Sequence, residues 1–119
     1  MSVVYKARQK EKNRDVALKL ILPEKAGSVE IVRRFKREAD ILSAISHPNI
    51  LQIYESGEEN GTFFCILEYV KGLHLRQYWT ANELTTEAVR DLFTQICAGL
   101  EAAHKEGVVH RDIKPENVL

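Results

Sequence analysis

The sequence ends on His110-Arg111-Asp112-Ile113-Lys114-Pro115-Glu116-Asn117-Val118-Leu119, and this stretch carries its densest set of reactive side chains. Asp112 can accept a proton, Lys114 can neutralise negative charge, and Asn117 can offer an amide oxygen to a hard cation. A helix would spread these side chains around its axis, whereas a loop on a rigid scaffold can point them at one place. The spacing therefore predicts a loop that carries a reactive site.

Several stretches carry a family resemblance. The octapeptide H-R-D-I-K-P-E-N at 110–117 resembles the catalytic loop H-R-D-x-x-x-x-N of protein kinases, and its second half resembles the serine/threonine branch. V-A-L-K at 16–19 resembles the V-A-I-K strand, S-H-P-N-I at 46–50 the H-P-N-I turn, and E-Y-V-K-G at 68–72 the hinge between the two lobes. On these motifs the chain is identified as a member of the protein kinase family, of the bacterial serine/threonine type, running from the N-terminal lobe to the catalytic loop.

The composition narrows the classes of partner. Lys+Arg and Asp+Glu both number 17, so the chain has no net positive charge with which to bind nucleic acid. It shows no apolar run of about 18 residues and no signal-peptide pattern, so we expect no membrane span. We expect a cytoplasmic catalytic domain, which a longer parent could anchor to a membrane. Cys65 and Cys97 lie in apolar runs, which predicts two buried free thiols in a reducing compartment.

Hydrophobic periodicity and turn residues predict an α+β fold. Asn13 and Asn60-Gly61 are turn signals, each lying between two apolar runs. Phe63–Leu67 shows no polar alternation, so this segment is predicted to be covered on both faces. We expect a small antiparallel sheet of four strands: Ser2–Ala7, Asp15–Leu22, Leu51–Gly57 and Thr62–Tyr69.

Apolar residues at intervals of three or four predict the helices. Ser28 would cap the first helix, and Thr85 or Thr86 would cap the last. Gly107 would end the last helix, because glycine readily takes the left-handed conformation that closes a helix. The predicted helices are Ser28–Ser46, Leu73–Thr80 and Thr86–Glu106.

Each long helix has an apolar face that predicts what it buries. Trp79, in the short helix, is expected to pack as well. Apolar surface left uncovered would allow the chain to form a dimer. The predicted faces are Val32, Phe35, Ala39, Leu42 and Ile45 in the first helix, and Val89, Leu92, Phe93, Ile96, Leu100 and Ala103 in the last.

The resemblance implies a kinase-like arrangement of two lobes. Residues 1–67 would form a partial N-lobe, with an antiparallel sheet and helix C, and residues 68–72 would form the hinge. Residues 73–119 would form the first helices of the C-lobe and end in the catalytic loop. Ser2-Val3-Val4 matches only the end of the family's glycine-rich loop, and no D-F-G occurs, so we expect an incomplete domain.

By the same resemblance the cofactors are ATP and Mg²⁺, and the loop residues are catalytic. Asp112 would accept the proton of the substrate hydroxyl or orient that hydroxyl. Lys114 would stabilise charge on the γ-phosphoryl group. Asn117 would bind one magnesium ion as a metal ligand.

The first lobe and the hinge would hold the nucleotide. Lys19 would contact the α- and β-phosphates and pair with Glu38 on helix C. The alternative partner of Glu38 is Arg34, one helical turn away. Six further positions would border the adenine: Val4 and Ala17 above it, Leu119 beneath it, Leu67 as the gatekeeper, and Glu68 and Val70 through the hinge backbone.

The implied function is that of a protein serine/threonine kinase, which transfers phosphoryl groups from ATP to serine or threonine hydroxyls of protein substrates. Because D-F-G supplies a magnesium ligand, we expect residues 1–119 alone to be almost inactive. Two alternatives stay open: a non-catalytic kinase-like module that binds a nucleotide or a partner, and a kinase-like enzyme that acts on a small molecule. A binding module has no chemical need for the set Lys19, Glu38, Asp112, Lys114 and Asn117, so the set favours the enzyme.

Overall fold

The computed structural model describes residues 2–21 and 29–119. These residues group into two compact units, Met1–Ser46 with Leu51–Tyr69 and His47–Ile50 with Val70–Leu119, called here the first and second units. The predicted cap Ser28 and the predicted strand end Leu22 lie outside the described residues. The division into lobes at 1–67 and 73–119, with a hinge at 68–72, stays a prediction.

The first unit contains a sheet of four strands in the order β1-β2-β4-β3, with every neighbouring pair antiparallel. The predicted antiparallel sheet is therefore confirmed. Strand β1 extends beyond the predicted Ala7, and β3 begins two residues after the predicted Leu51, with an irregular register between Ile53 and Glu55. The strands are β1 Ser2–Gln9, β2 Arg14–Ile21, β3 Ile53–Glu59 and β4 Thr62–Glu68.

Both predicted turn signals lie where strands reverse. Asn60 and Gly61 have φ angles of +50° and +73°, and they connect β3 to β4. Two successive residues with positive φ give the turn whose twist matches that of the flanking strands. Asn13, with φ of +48°, ends the connection between β1 and β2. Asparagine tolerates this conformation better than most residues do, which explains why the sequence identified these turns.

Helix α1, Val29–Ser43, packs chiefly against β3 and more lightly against β4. It ends earlier than the predicted Ser46, because the bonds from Ala44 N–H to the Ile41 carbonyl and from Ile45 N–H to the Leu42 carbonyl tighten the chain into shorter turns. Phe35 was expected in the buried face but is exposed. The buried cluster is Ile21, Ala39, Ile53, Phe63 and Cys65, with Val32, Leu42 and Leu67 packed against it.

Strand β4 is covered more completely on one face than on the other. Phe63 and Cys65 on one face are buried, whereas Phe64 and Ile66 on the opposite face are only half-buried. The prediction that both faces are covered is therefore too strong. An unbroken apolar run indicates low contact with water, but it does not say how completely each face is covered.

The second unit contains helix α2, Leu75–Ala81, helix α3, Thr86–Lys105, and a short 3₁₀ turn, Pro115–Asn117. The Thr85 hydroxyl caps α3 by accepting a hydrogen bond from Ala88 N–H at 3.2 Å. Of the two caps that the sequence allowed, Thr85 is therefore the cap. None of the helices in the described ranges is long and apolar enough to cross a membrane.

Residues His47–Ile50 pack on α3. A Cβ atom added to the buried Gly99 would lie 2.6 Å from the Asn49 carbonyl oxygen, so only glycine allows this approach. The Asn49 side-chain amide also donates to Gln95 Oε1 at 3.2 Å. His47 Nδ1 accepts from Asn49 N–H at 3.0 Å, so His47 stabilises the turn of this segment.

Three side chains of the second unit are more exposed than predicted. Phe93 and Trp79 are 56% and 47% exposed, although both were expected to pack, and Cys97 is exposed rather than buried. Periodicity places Phe93 on the apolar side of α3 but does not ensure that a neighbouring element covers that side. The prediction of a buried free thiol is correct for Cys65 and wrong for Cys97.

Candidate active site

The C-terminal end of helix α3 turns the chain into the loop. Gly107 has φ of +77°, and its N–H donates to the His104 carbonyl at 2.9 Å. Val108 N–H donates to the Ala103 carbonyl at 3.0 Å, and both of these side chains are buried. This pair of bonds satisfies carbonyls that a helix end leaves free, and it fixes the direction in which the chain leaves α3.

The loop backbone departs from ordinary conformations at Arg111. Its φ angle of +65° lies in the left-handed region, which costs energy for a residue that has a Cβ atom. The following N–H, that of Asp112, donates to His110 Nδ1 at 3.3 Å. The hydrogen bond that His110 Nδ1 accepts thus supports the strained backbone step before Asp112.

Asp112, Lys114 and Asn117 lie together in the second unit. Lys114 Nζ is 2.9 Å from Asp112 Oδ2, and Asn117 Nδ2 is 3.1 Å from the same oxygen. Asn117 Nδ2 also donates to the Asp112 backbone carbonyl at 2.8 Å. One carboxylate is thus held by a cation and an amide, and all three side chains are exposed and accessible to a ligand.

The contact between Asp112 and Lys114 stabilises the charged form of each side chain. The hydrogen bond from Lys114 lowers the pKa of Asp112, partial desolvation opposes this, and the bond from Asn117 lowers it further. The same contact raises the pKa of Lys114. Asp112 is therefore an anion and Lys114 a cation at neutral pH, which are the forms needed for accepting a proton and for stabilising negative charge.

The Asn117 amide oxygen and the Asp112 carboxylate are oxygen donors of the kind that a hard cation binds. Asn117 uses its amide nitrogen towards Asp112, and its amide oxygen makes no hydrogen bond within the described ranges. A free amide oxygen and an exposed carboxylate are ligands that Mg²⁺ accepts while keeping water or substrate phosphate as its others. No cluster of three His, Cys, Asp or Glu side chains suited to a metal occurs within the described residues.

In the first unit, several candidate nucleotide-binding residues share one face of the sheet. Lys19 on β2 is paired with Val4 on β1 and with Cys65 on β4. Ala17 lies two residues from Lys19 and is paired with Leu67 on β4, so it is on the same face. Burial raises the pKa of the Cys65 thiol, although the nearby Lys19 charge opposes this.

Glu38 has a partner other than the one that the resemblance implied. Arg34 Nε donates to Glu38 Oε1 at 3.2 Å, and no ion pair between Glu38 and Lys19 occurs in the described part of the chain. The expected Lys19–Glu38 pair is therefore not formed in this structure, and the alternative partner is present. The reason is local: residues four apart on a helix are adjacent, so Arg34 reaches Glu38 without any movement of α1.

The hinge candidates lie at the end of β4 and just after it. Glu68 N–H donates to the Gln52 carbonyl at 2.9 Å, and the Glu68 carboxylate accepts from Gln52 N–H at 3.4 Å. These contacts tie the end of β4 to the residue before β3. Val70 in the second unit is 36% exposed, and Leu119, also in the second unit, is 55% exposed.

The sequence did not predict one contact near the loop. Arg76 Nε on α2 donates to Glu116 Oε1, and this hydrogen bond lowers the pKa of Glu116. The two residues are 40 positions apart, so no local spacing connects them. Their opposite charges were visible in the sequence, but only the fold places them together.

Comparison with known proteins identifies the family. The sequence model described as protein kinase domain matches residues 1–119. The serine/threonine-protein kinase PrkC of Bacillus subtilis (strain 168) is 41% identical over 120 residues, which cover 100% of this chain and 18% of that protein. The serine/threonine-protein kinase PknD of Mycobacterium tuberculosis (strain H37Rv) is 42% identical over 123 residues, with the same two coverages of 100% and 18%.

The fold of the chain is also similar to that of solved protein kinase domains. The crystal structure of the Mycobacterium tuberculosis PknI kinase domain superposes with a TM-score of 0.85 and 31% identity, covering 98% of this chain and 48% of that one. The chain thus spans about a fifth of the length of these curated relatives and about half of the solved kinase domain. Because the family model matches the chain over its whole length, and the His110–Leu119 loop brings together the side chains of the family motif, the chain belongs to the protein kinase family.

Proposed function

We propose that the protein containing these residues is a protein serine/threonine kinase, which transfers the γ-phosphoryl group of ATP to serine and threonine hydroxyls of protein substrates. The observation that carries this proposal is the cluster of Asp112, Lys114 and Asn117, joined by contacts of 2.9 and 3.1 Å on one loop. Membership of the family and the names of the relatives support the same activity.

Each loop residue has one role in this proposal. Asp112 accepts a hydrogen bond from the substrate hydroxyl and takes its proton, because its carboxylate is ionised at neutral pH. Lys114 lies beside that carboxylate and stabilises the negative charge that builds on the transferred group. Asn117 holds Asp112 in place through its amide nitrogen and keeps its amide oxygen for a metal ion.

Protein kinases generally use ATP and Mg²⁺, and we propose both for this protein. When bound, they supply the phosphoryl group and the positive charge that neutralises it. Asn117 would hold the metal ion from the second unit. Because residues 1–119 contain no D-F-G, we also propose that they transfer little phosphate on their own.

The first unit would supply the phosphate and adenine contacts. Lys19 would hold the α- and β-phosphates, with Glu38 as its partner once Arg34 has been displaced. The sheet face shared by Lys19, Val4, Ala17 and Leu67 supports this assignment. The remaining adenine contacts, from Glu68, Val70 and Leu119, rest on the family motif alone.

Three further proposals concern the setting of the chain. The division into lobes at 1–67 and 73–119, joined at 68–72, is proposed from the motif positions. A cytoplasmic location is proposed because the relatives named above are protein kinases and ATP is a cytoplasmic metabolite. A dimer that forms through apolar surface is proposed from the exposure of side chains such as Phe93.

The competing function is a module that binds nucleotide without transferring phosphate. The two are separated by incubating the native gene product with γ-labelled ATP, Mg²⁺ and an equimolar mixture of Ser, Thr and Tyr peptides with an amino sugar. The kinase proposal expects label on Ser and Thr peptides only. Nucleotide binding without labelled peptide would support the module, and a labelled sugar would support a small-molecule kinase.

A further inference from the structure

Helix α2 is attached to the residues on both sides of Asn117. The guanidinium of Arg76 donates to the carboxylate of Glu116, and Leu75 N–H donates to the Val118 carbonyl at 2.8 Å. Successive residues of α2 thus bind the two sequence neighbours of Asn117, one through a side chain and the other through the backbone.

Besides these two attachments, the Asn117 amide holds the short turn by donating to the backbone carbonyl and to the carboxylate of Asp112. The segment Pro115–Asn117 has no side-chain cap at Lys114, and its own backbone bond joins Asn117 N–H to the Lys114 carbonyl at 2.9 Å. None of its residues is buried, so packing supplies little restraint. The orientation of the Asn117 amide therefore depends on its two bonds to Asp112 and on how the backbone on either side of it is held.

The Arg76 contact is the one of these two attachments that depends on residue type. Any non-proline residue at position 75 could provide the backbone bond, whereas the bond to the Glu116 carboxylate needs a cationic donor at position 76, which here is a guanidinium. Glu116 is only 42% exposed in this pair. A change at Arg76 thus releases one attachment and leaves the other in place.

We propose that Arg76 is a positioning residue for phosphoryl transfer, which acts by holding Glu116 and thereby fixing the turn that presents Asn117 and Lys114 to Asp112. This inference rests on the proposed kinase function. Arg76 touches neither the reacting groups nor Asp112. It acts through the backbone of the turn, so its loss should affect the rate of transfer more than the binding of the protein substrate.

The test compares five variants of the native gene product: Arg76→Ala, Arg76→Lys, Glu116→Ala, the Arg76→Ala/Glu116→Ala double variant, and Lys105→Ala as a control. The control removes a lysine that pairs with Glu101 at 2.9 Å, so it deletes a more exposed ion pair at a different place in the second unit. We measure kcat and KM for a peptide substrate, the Tm, and amide hydrogen exchange of each peptide segment.

We expect each single variant at the pair to lower kcat by about two- to fivefold, the range over which an exposed ion pair shifts an equilibrium. The double variant should be no slower than either single one, because both remove the same attachment. Hydrogen exchange should become faster at 114–118 and stay unchanged in α3, and Arg76→Lys should restore part of the rate. Lys105→Ala should change none of these quantities.

Unchanged kcat and unchanged exchange in Arg76→Ala would overturn the inference. So would a double variant whose loss is the product of the two single losses, or faster exchange throughout α2 and α3 with a lower Tm, which would indicate a role in stability alone. If the unmodified protein transfers no phosphate, the proposed function fails. The exchange measurement then still decides whether Arg76 fixes the turn.

Discussion

The Glu38 carboxylate accepts a hydrogen bond from Arg34 Nε at 3.2 Å within helix α1, one turn away on the same helix. Lys19, on strand β2, is the partner that the kinase motif implies. In the proposed kinase, the two cations would therefore compete for one carboxylate. Because Arg34 and Glu38 are both partly exposed, their pair is worth only roughly 0.3 kcal/mol, so a bound nucleotide could displace it.

The first prediction concerns this competition. Arg34→Ala should strengthen ATP binding by less than about twofold, since only a weak local pair is removed before Lys19 can engage Glu38. The measurement is a titration of the native gene product with ATP and Mg²⁺. Arg33→Ala is the matched control, because it removes the same charge from an exposed position on the same helix. An equal gain in the control, or weaker binding in Arg34→Ala, would contradict the prediction.

The partner of Glu38 shows a limit of sequence reasoning. The motif identified Glu38 and Lys19, but whether Lys19 can reach Glu38 depends on where α1 lies on the sheet, and α1 packs chiefly on β3. The sequence predicted correctly those features that depend on a few adjacent residues. They are the Asn60-Gly61 turn, the Thr85 cap and the Gly107 helix end.

Exposure was harder to predict than secondary structure. Phe93 and Cys97 lie on or beside the apolar stripe of α3, yet both are exposed, because a periodic pattern does not supply the element that would cover it. In the loop, the spacing from Asp112 to Asn117 predicted residues that the structure brings within hydrogen-bonding distance. Their catalytic roles stay predictions. The Arg76–Glu116 contact could not be predicted, since only the fold joins residues so distant in sequence.

The second prediction is a pH effect at Asp112. Its pKa lies below the ordinary value of 3.8, with the Lys114 hydrogen bond as the largest cause. A carboxyl whose folded-state pKa is depressed favours folding above its unfolded-state pKa, and this contribution is lost as the pH falls through the folded-state pKa. Lys114→Ala should therefore move the titration of Asp112 upward in pH, which carboxyl-carbon NMR can follow.

The control for this titration is Lys71→Ala, which removes an exposed lysine of the second unit that makes no ion pair in the described part of the chain. This variant should leave the Asp112 titration where it was. An Asp112 pKa that does not rise in Lys114→Ala would show that the contact of 2.9 Å does not determine the charge state of the carboxylate.

The third prediction concerns the close approach of Gly99 to Asn49. Gly99→Ala should lower the free energy of unfolding by about 1–3 kcal/mol, because the new methyl group would overlap a backbone oxygen that cannot move freely. Denaturant unfolding measures this quantity. Gly72→Ala is the control, since its added Cβ would meet only Val70 Cγ1, at an ordinary 3.7 Å. Equal losses in the two variants would mean that the His47–Ile50 segment does not pack on α3 as described.

The most direct test of the central claim is γ-phosphoryl transfer by the native gene product carrying Asp112→Asn. The substitution keeps the size of the side chain but removes its proton-accepting charge. Asp91→Asn on the exposed side of α3 makes the same chemical change away from the loop. We predict that Asp112→Asn loses about 100-fold or more in kcat, the usual scale for a general base, while Asp91→Asn keeps the full rate. Equal rates in the two variants would contradict the claim that this loop is the catalytic centre.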